Sequence, residues 1–192
     1  FLSALIATIL GTMVSFAMNH MKKLPRMILM TVTNIPMLNA DIVTGISLML
    51  LFIALRYRMG FGSVLIAHIT FNLPYVVLSV MPRLKKMNQN VYEAALDLGA
   101  TPFQALRKVI LPEIRPGMIS GFILAFTLSI DDFAVTIFTI GNEGLETLST
   151  FIYADARKGG LTPELRPLST IIFVTVLVLL IVINKRAEKS KS

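Results

Sequence analysis

The stretch NQNVYEAALDLGATPFQALRKVILPEIRPG, residues 88–117, decides how this chain is read. It separates two long apolar runs, is too polar to sit in lipid, and carries stop and start signals at close intervals. Asn88 or Asn90 can cap a first short helix, with Val91, Ala94, Ala95 and Leu98 along one side. Gly99 stands where a helix C-terminal glycine belongs. Thr101, Pro102 and Gln104 then form an N-cap, a first-position proline and a capping box, so a second short helix begins there. Leu111-Pro112 predicts its end, and Pro116-Gly117 the start of the next apolar segment. Two short helices turning on Gly99 leave apolar side chains that need burial. They find it in the rest of the chain, as a structural loop, or in a groove on a soluble partner.

Working outward, five apolar segments have about the length that crosses a bilayer, roughly 20 residues. They are residues 1–18, 27–55, 61–81, 117–140 and 167–184. The second is long and is interrupted by Pro36, Asn39 and Asp41, which predicts a kink or a short interfacial piece at its start. Of 192 residues, 55% are hydrophobic and 15% charged, with mean hydropathy +0.74, a balance foreign to a soluble domain. Cysteine is absent, and His20 and His68 lie far apart, so no metal centre is expected. A net charge of +7 on so apolar a chain points to basic loops at a lipid surface, not to nucleic acid. The chain opens at Phe1 within an apolar run with no basic region before it and no small-residue cleavage site after it, so a signal peptide is not expected and a preceding N-terminal portion is.

Basic residues set the orientation. If residues 82–116 are cytoplasmic, alternation places 19–26 and the C-terminal tail on the same side, and these regions hold 13 of the 18 lysines and arginines. Five crossings with a cytoplasmic C-terminus follow.

The pattern Glu93-Ala94-Ala95, then Gly99, then Val109 and Leu111-Pro112, resembles the EAA loop of binding-protein-dependent ABC importer permeases. That family has Ile where this chain has Val109. The resemblance implies an all-α integral-membrane bundle of the type I (MetI-like) importer permease architecture, a single domain over 1–192 with a cytoplasmic coupling loop at 83–116 and an extracytoplasmic loop at 141–166. It implies that Glu93, Ala94, Ala95, Gly99, Ala100, Thr101, Pro102, Phe103, Leu111 and Pro112 couple the chain to an ATP-binding subunit dimer. Asp41-Ile42-Val43, His68-Ile69-Thr70-Phe71 with Leu73-Pro74, and Phe126-Thr127-Leu128-Ser129 before Asp131-Asp132 are similar to the second permease subunit of spermidine/putrescine importers. Members of that branch have six transmembrane helices, and the match begins at the second. The expected setting is a prokaryotic cytoplasmic membrane. The expected partners are the ATPase, a second permease, an extracytoplasmic binding protein and the lipid itself.

The chain has no G-x-x-x-x-G-K-[ST] loop, so it is not expected to be an enzyme or to hold a cofactor; ATP and magnesium belong to the partner ATPase. Carboxylates inside a membrane are costly, on the order of 2.5–3.5 kcal/mol each, and are kept for a use. Asp41, Asp131 and Asp132, with the rings of Tyr75 and Phe133, are the candidate lining of a path for linear polycations, and Asp131 is expected near mid-membrane in the fourth crossing. The plainer expectation is that Asp131 and Asp132 cap a helix break or pair with a neighbouring helix, and that His68 hydrogen-bonds within the bundle. The outer loop, with Glu143, Glu146, Asp155 and Glu164, is expected to be solvated, with one amphipathic helix. Iron, phosphate or sulfate as cargo, and a secondary transporter with no motor, are the competing functions.

Overall fold

A run of Leu, Ile, Ala and small hydroxyl residues makes the first helix, α1 (Leu2–His20), about 28 Å long and able to span a bilayer. Its inward face consists of Ala4, Ala7, Thr8, Gly11, Thr12 and Ser15. The hydroxyls do not need outside partners, because Thr8, Thr12 and Ser15 donate to the carbonyls of Ala4, Thr8 and Gly11 at 2.7, 2.6 and 2.7 Å. A smooth, internally satisfied face of this kind lets a second helix approach closely.

The computed structural model describes residues 1–87, 89–141 and 146–157, and scattered positions between 167 and 181. After α1 come α2 (Lys23–Leu38), α3 (Asp41–Ala54) and α4 (Phe61–Lys86). Then follow the short α5 (Gln89–Asp97) and α6 (Pro102–Ala105), a π-helical turn at Leu106–Ile110, α7 (Leu111–Asp131), α8 (Ala134–Thr139) and α9 (Leu148–Arg157). Every described element is helical. The predicted crossing at 167–184 lies mostly outside the described residues, and the positions described there are helical.

The centre of the bundle is α4, held between α1 and α7. Gly11 of α1 lies on Val76 and the carbonyl of Leu73. From α7, Gly117 lies on Ser79 and Val80, and Gly121 on Ser79 and Val76. These contacts, with Ser3 and Ser129 at the level of His68, make α1 parallel and α7 antiparallel to α4. Ala4, Ala7, Val76, Val80, Ile110, Ile114 and Ala125 fill the space between them. A Cβ on Gly11 would stand 2.7 Å from Val76 Cγ1 and 2.8 Å from Val76 Cβ, too close to the backbone to be relieved by rotation. Gly11→Val should therefore cost about 1–3 kcal/mol. It should lower the thermal midpoint of the purified complex, which differential scanning fluorimetry reads.

The long segment 27–55 is two helices, parted at Asn39 and Ala40, both extended. Near Asn39 the backbone is in neither helix, and α3 restarts at Asp41, a residue suited to a helix N-terminus. α3 runs antiparallel to α4, with Phe52 packed among Ala67 and Phe71, and Asp41 within electrostatic reach of Tyr75. Asp41 thus stands halfway along α4.

Two expectations need correcting. No break occurs at Leu111-Pro112 or at Pro116-Gly117: the helix runs from Pro102 to Asp131. The π-helical turn just before Pro112 explains this. Leu111 N–H reaches back to Leu106, one residue further than in an α-helix, and Pro112, which has no N–H to place, follows that widened turn. Asp131 is also not at mid-height. It ends α7 just beyond Ser129, which meets His68 in the first third of α4, so Asp41 is the mid-height acid.

Candidate functional site: a coupling surface at one end and a broken-helix network at the other

At the end of the bundle where α1 and α4 finish, α5 and α6 meet at a tight turn. Gly99 has φ +86°, the left-handed conformation that glycine adopts freely. Gly99 N–H donates to Leu96 O at 2.9 Å and Ala100 N–H to Ala95 O at 3.0 Å, the paired bonds of a Schellman motif. Thr101 then caps α6: Gln104 N–H donates to Thr101 Oγ1 at 3.3 Å, and Thr101 N–H to Gln104 Oε1 at 3.1 Å. The sequence signals for this turn all hold, and position 88 lies outside the described residues.

Tyr92, Ala95 and Leu96 face the bundle, while Glu93, Ala94 and Gly99 are exposed. Beneath the loop a cavity of about 420 Å³ is lined by Asn19, His20, Met87, Tyr92, Glu93, Leu96 and Ile110. On the outside, Leu98 is 89% exposed and Phe103 68% exposed, on either side of the Gly99 turn, and Pro102 is exposed beside them. Leu111 and Pro112 are exposed as well, further along the same continuous helix. Lys22, Lys23, Arg83, Lys85 and Lys86 belong to this same end, which Arg26 joins through a contact with Met81. Large apolar side chains thus stand exposed at the same end of the bundle as a group of basic residues.

The opposite end holds a polar network. Asp132 sits between α7 and α8 in extended conformation. Its carboxylate accepts from Val135 N–H at 3.1 Å, Thr136 N–H at 2.9 Å and Thr136 Oγ1 at 2.9 Å, which caps the restarted helix. His68 Nε2 lies 2.8 Å from Thr136 Oγ1 and 3.4 Å from Asp132 Oδ2. His68 Nδ1 lies 2.7 Å from Ser129 Oγ, which is 2.9 Å from Ser3 Oγ. With a neutral imidazole the donors run one way, from Ser3 to Ser129 to His68 to Thr136 to Asp132. Ser149 of α9 adds a bond to the Asp132 carbonyl at 2.6 Å. His68 and Thr136 supply what a buried carboxylate requires.

The candidate path residues therefore separate. Asp132 is buried and fully engaged, whereas Asp131 and Asp41 are exposed. Phe133 rests on Tyr153 of α9 with ring centroids 4.5 Å apart, and Tyr75 contacts Phe71 at 5.6 Å. Asp41 lies within electrostatic reach of Tyr75, and Phe133 is held elsewhere, against α9. Asn72, which with Leu73-Pro74 is expected to mark a kink in this segment, is fully buried, with neither side-chain atom hydrogen-bonded. An unpartnered amide costs about 1–3 kcal/mol. The sequence signal for it is an amide inside an otherwise apolar run, two residues before Pro74.

The chain resembles known transport proteins along nearly its full length. It is 41% identical over 179 residues to the spermidine/putrescine transport system permease protein PotC of Escherichia coli K12, covering 93% of this chain and 67% of that protein. Against the PotC protein of Haemophilus influenzae it is 38% identical over 181 residues, covering 94% of this chain and 70% of the relative. The putrescine transport system permease protein PotI of E. coli K12 is 39% identical over 147 residues, covering 73% and 52%. With three helices long and apolar enough to cross a membrane among the described residues, and with residues 7–185 matching the profile described as binding-protein-dependent transport system inner membrane component, the chain belongs to that family of multi-pass membrane permease subunits.

Proposed function

We propose that this chain is the polyamine-conducting permease subunit of an ATP-driven importer. The permease relatives named for spermidine and putrescine support the cargo. The observation that carries it to particular residues is Asp41, an exposed carboxylate at the start of a half-helix, at mid-height of the bundle and within electrostatic reach of Tyr75. Spermidine and putrescine are linear polycations at neutral pH, since primary amines titrate near 10. A carboxylate with aromatic neighbours in a low-dielectric path attracts such ions. Asp131 would serve as a second acid further along, with Phe133 near it, while Asp132 holds the helix break.

The end carrying Lys22, Lys23, Arg83, Lys85 and Lys86 is the cytoplasmic one, by the excess of basic residues. Loop 83–116 then faces the ATPase dimer, and 141–166, with α9, faces the extracytoplasmic binding protein. Glu93, Ala94, Ala95, Gly99, Ala100, Thr101, Pro102 and Phe103 form the docking element, and Leu111 and Pro112 join it to α7. ATP and magnesium sit on the partner. A second permease completes the path.

Uptake of radiolabelled spermidine by the complex reconstituted with ATPase, sister permease and binding protein tests this. Asp41→Asn should lower uptake about tenfold, as expected if roughly 1.4 kcal/mol of cation attraction is lost, while the complex still assembles. Unchanged uptake in Asp41→Asn removes the path assignment. Phosphate, sulfate or iron transport in place of spermidine replaces the cargo. Transport that survives ATP depletion favours a secondary transporter.

A further inference from the structure

α3 ends in a turn that a glycine would make more easily than the arginine found there. Arg56 N–H donates to Ile53 O at 3.0 Å and Tyr57 N–H to Phe52 O at 2.8 Å, the paired bonds of a Schellman motif. The Tyr57 ring lies on Phe52 with centroids 5.6 Å apart, the apolar contact that accompanies such a turn. The motif holds Arg56 at φ +52°, and among the described residues no other non-glycine has a left-handed φ. A Cβ crowds the following carbonyl in that conformation, so glycine is favoured. At the matching place after α5 this chain does use glycine, Gly99 at φ +86°. The fold therefore does not ask for the arginine.

The setting does not ask for the charge either. The turn lies where α4 begins, at the opposite end of the bundle from Lys85 and Lys86, and basic residues are sparse on the outer side of a membrane protein. On the importer reading it is also the end where cargo enters, and a guanidinium repels a polycation. Arg56 is exposed, and among the described residues no carboxylate pairs with it. A helix C-terminus attracts a cation, but a right-handed position in the last turn, such as Ala54, would supply one without strain. The turn itself is firmly seated. Gly141, where the outer loop begins, closes on Met59, and a Cβ on Gly62 would stand 2.6 Å from the Tyr57 hydroxyl. A fixed arginine beside an exposed tyrosine is the residue pair that anchors protein interfaces.

The chemistry of the partner follows from the cargo. A protein that carries a polycation holds it with carboxylates, and its cleft has to face the permease when the cargo is handed over. We infer that Arg56, with Tyr57 beside it, docks on a carboxylate at the cleft rim of the extracytoplasmic binding protein. The guanidinium pairs with that carboxylate as the cargo ammonium leaves it, so no acid is left without a cation. The inference rests on the importer reading, which supplies both the binding protein and the cargo.

ATP hydrolysis by the whole complex in phosphatidylcholine vesicles tests it, as spermidine-loaded binding protein is added. Arg56→Gly should raise the half-saturating concentration of binding protein about tenfold and weaken its dependence on salt. The thermal midpoint of the complex should hold or rise, because the turn is relieved of its strain. Arg56→Lys should recover part of the affinity, and Arg56→Glu should lose more than Arg56→Gly. Half-saturation unchanged in Arg56→Gly and Arg56→Glu overturns the proposal, and a lowered midpoint alongside it gives the charge to the end of α3. A defect seen only in vesicles containing phosphatidylglycerol gives the guanidinium to lipid headgroups, and loss of the sister permease from the complex places it between the two permeases; either overturns the proposal. A wild-type complex whose ATPase ignores the binding protein overturns the importer reading itself, and the inference with it.

Discussion

Phe103→Asp should leave the permease folded in the membrane but release it from its ATPase, with uptake falling about 30-fold or more. The ring is 68% exposed and contributes little to the fold of this chain. Its removal therefore leaves the Schellman turn at Gly99 and the Thr101 cap intact, since both are made by backbone and by Gln104. Seated in a partner groove, the ring would be a central anchor, and loss of such an anchor costs about 2 kcal/mol or more. A carboxylate in its place adds the desolvation of a charge. Co-purification of the ATPase with tagged permease reads the effect directly. Leu98→Asp should act in the same direction, because Leu98 stands on the other side of the turn and is 89% exposed. A Phe103→Asp permease that still brings down its ATPase in full amount would return the loop to a structural role.

The loop was the most legible part of the sequence because its signals are local. A glycine, a threonine, a proline and a glutamine fix caps over a few residues, and no distant contact overrides them. Pro112 misled for the opposite reason. A proline ordinarily ends a helix, but here a π-helical turn precedes it, and a widened turn leaves no signature in residue types. The interruption by Asn39 and Asp41 was legible as a break. That the break lies at mid-height of α4 was not, since only the packing of Phe52 on Phe71 and the electrostatic reach of Asp41 to Tyr75 show it. The two adjacent acids were the hardest case. Asp131 and Asp132 are indistinguishable by composition, and only the helix break turns one outward and the other into the bundle.

Asp132→Ala should fail at assembly and not at cargo selection. The carboxylate accepts from two backbone N–H groups of α8 and from Thr136 Oγ1, and it lies 3.4 Å from His68 Nε2. Its removal strips the cap from α8 and leaves those buried donors without their acceptor. Each buried donor left without an acceptor costs about 1–3 kcal/mol and a lost N-cap about 0.5–2 kcal/mol, together a large share of what a folded domain has in reserve. The damage would also spread. α9 is tied to the Asp132 carbonyl through Ser149, and α3 packs on α8 at Gly45, against Ala134, Val135 and Phe138. Asp132→Asn should be milder, since one oxygen survives to accept from Val135 or Thr136, yet an amide cannot accept at both. Asp131→Asn is the control, because Asp131 is exposed on the same stretch of helix and its loss removes no cap. The expected order of thermal midpoints in the purified complex is wild type and Asp131→Asn together, Asp132→Asn below them, and Asp132→Ala lowest or unassembled. Should Asp132→Ala assemble, melt with the wild type and fail only in spermidine uptake, the carboxylate would belong to the path and not to the hinge.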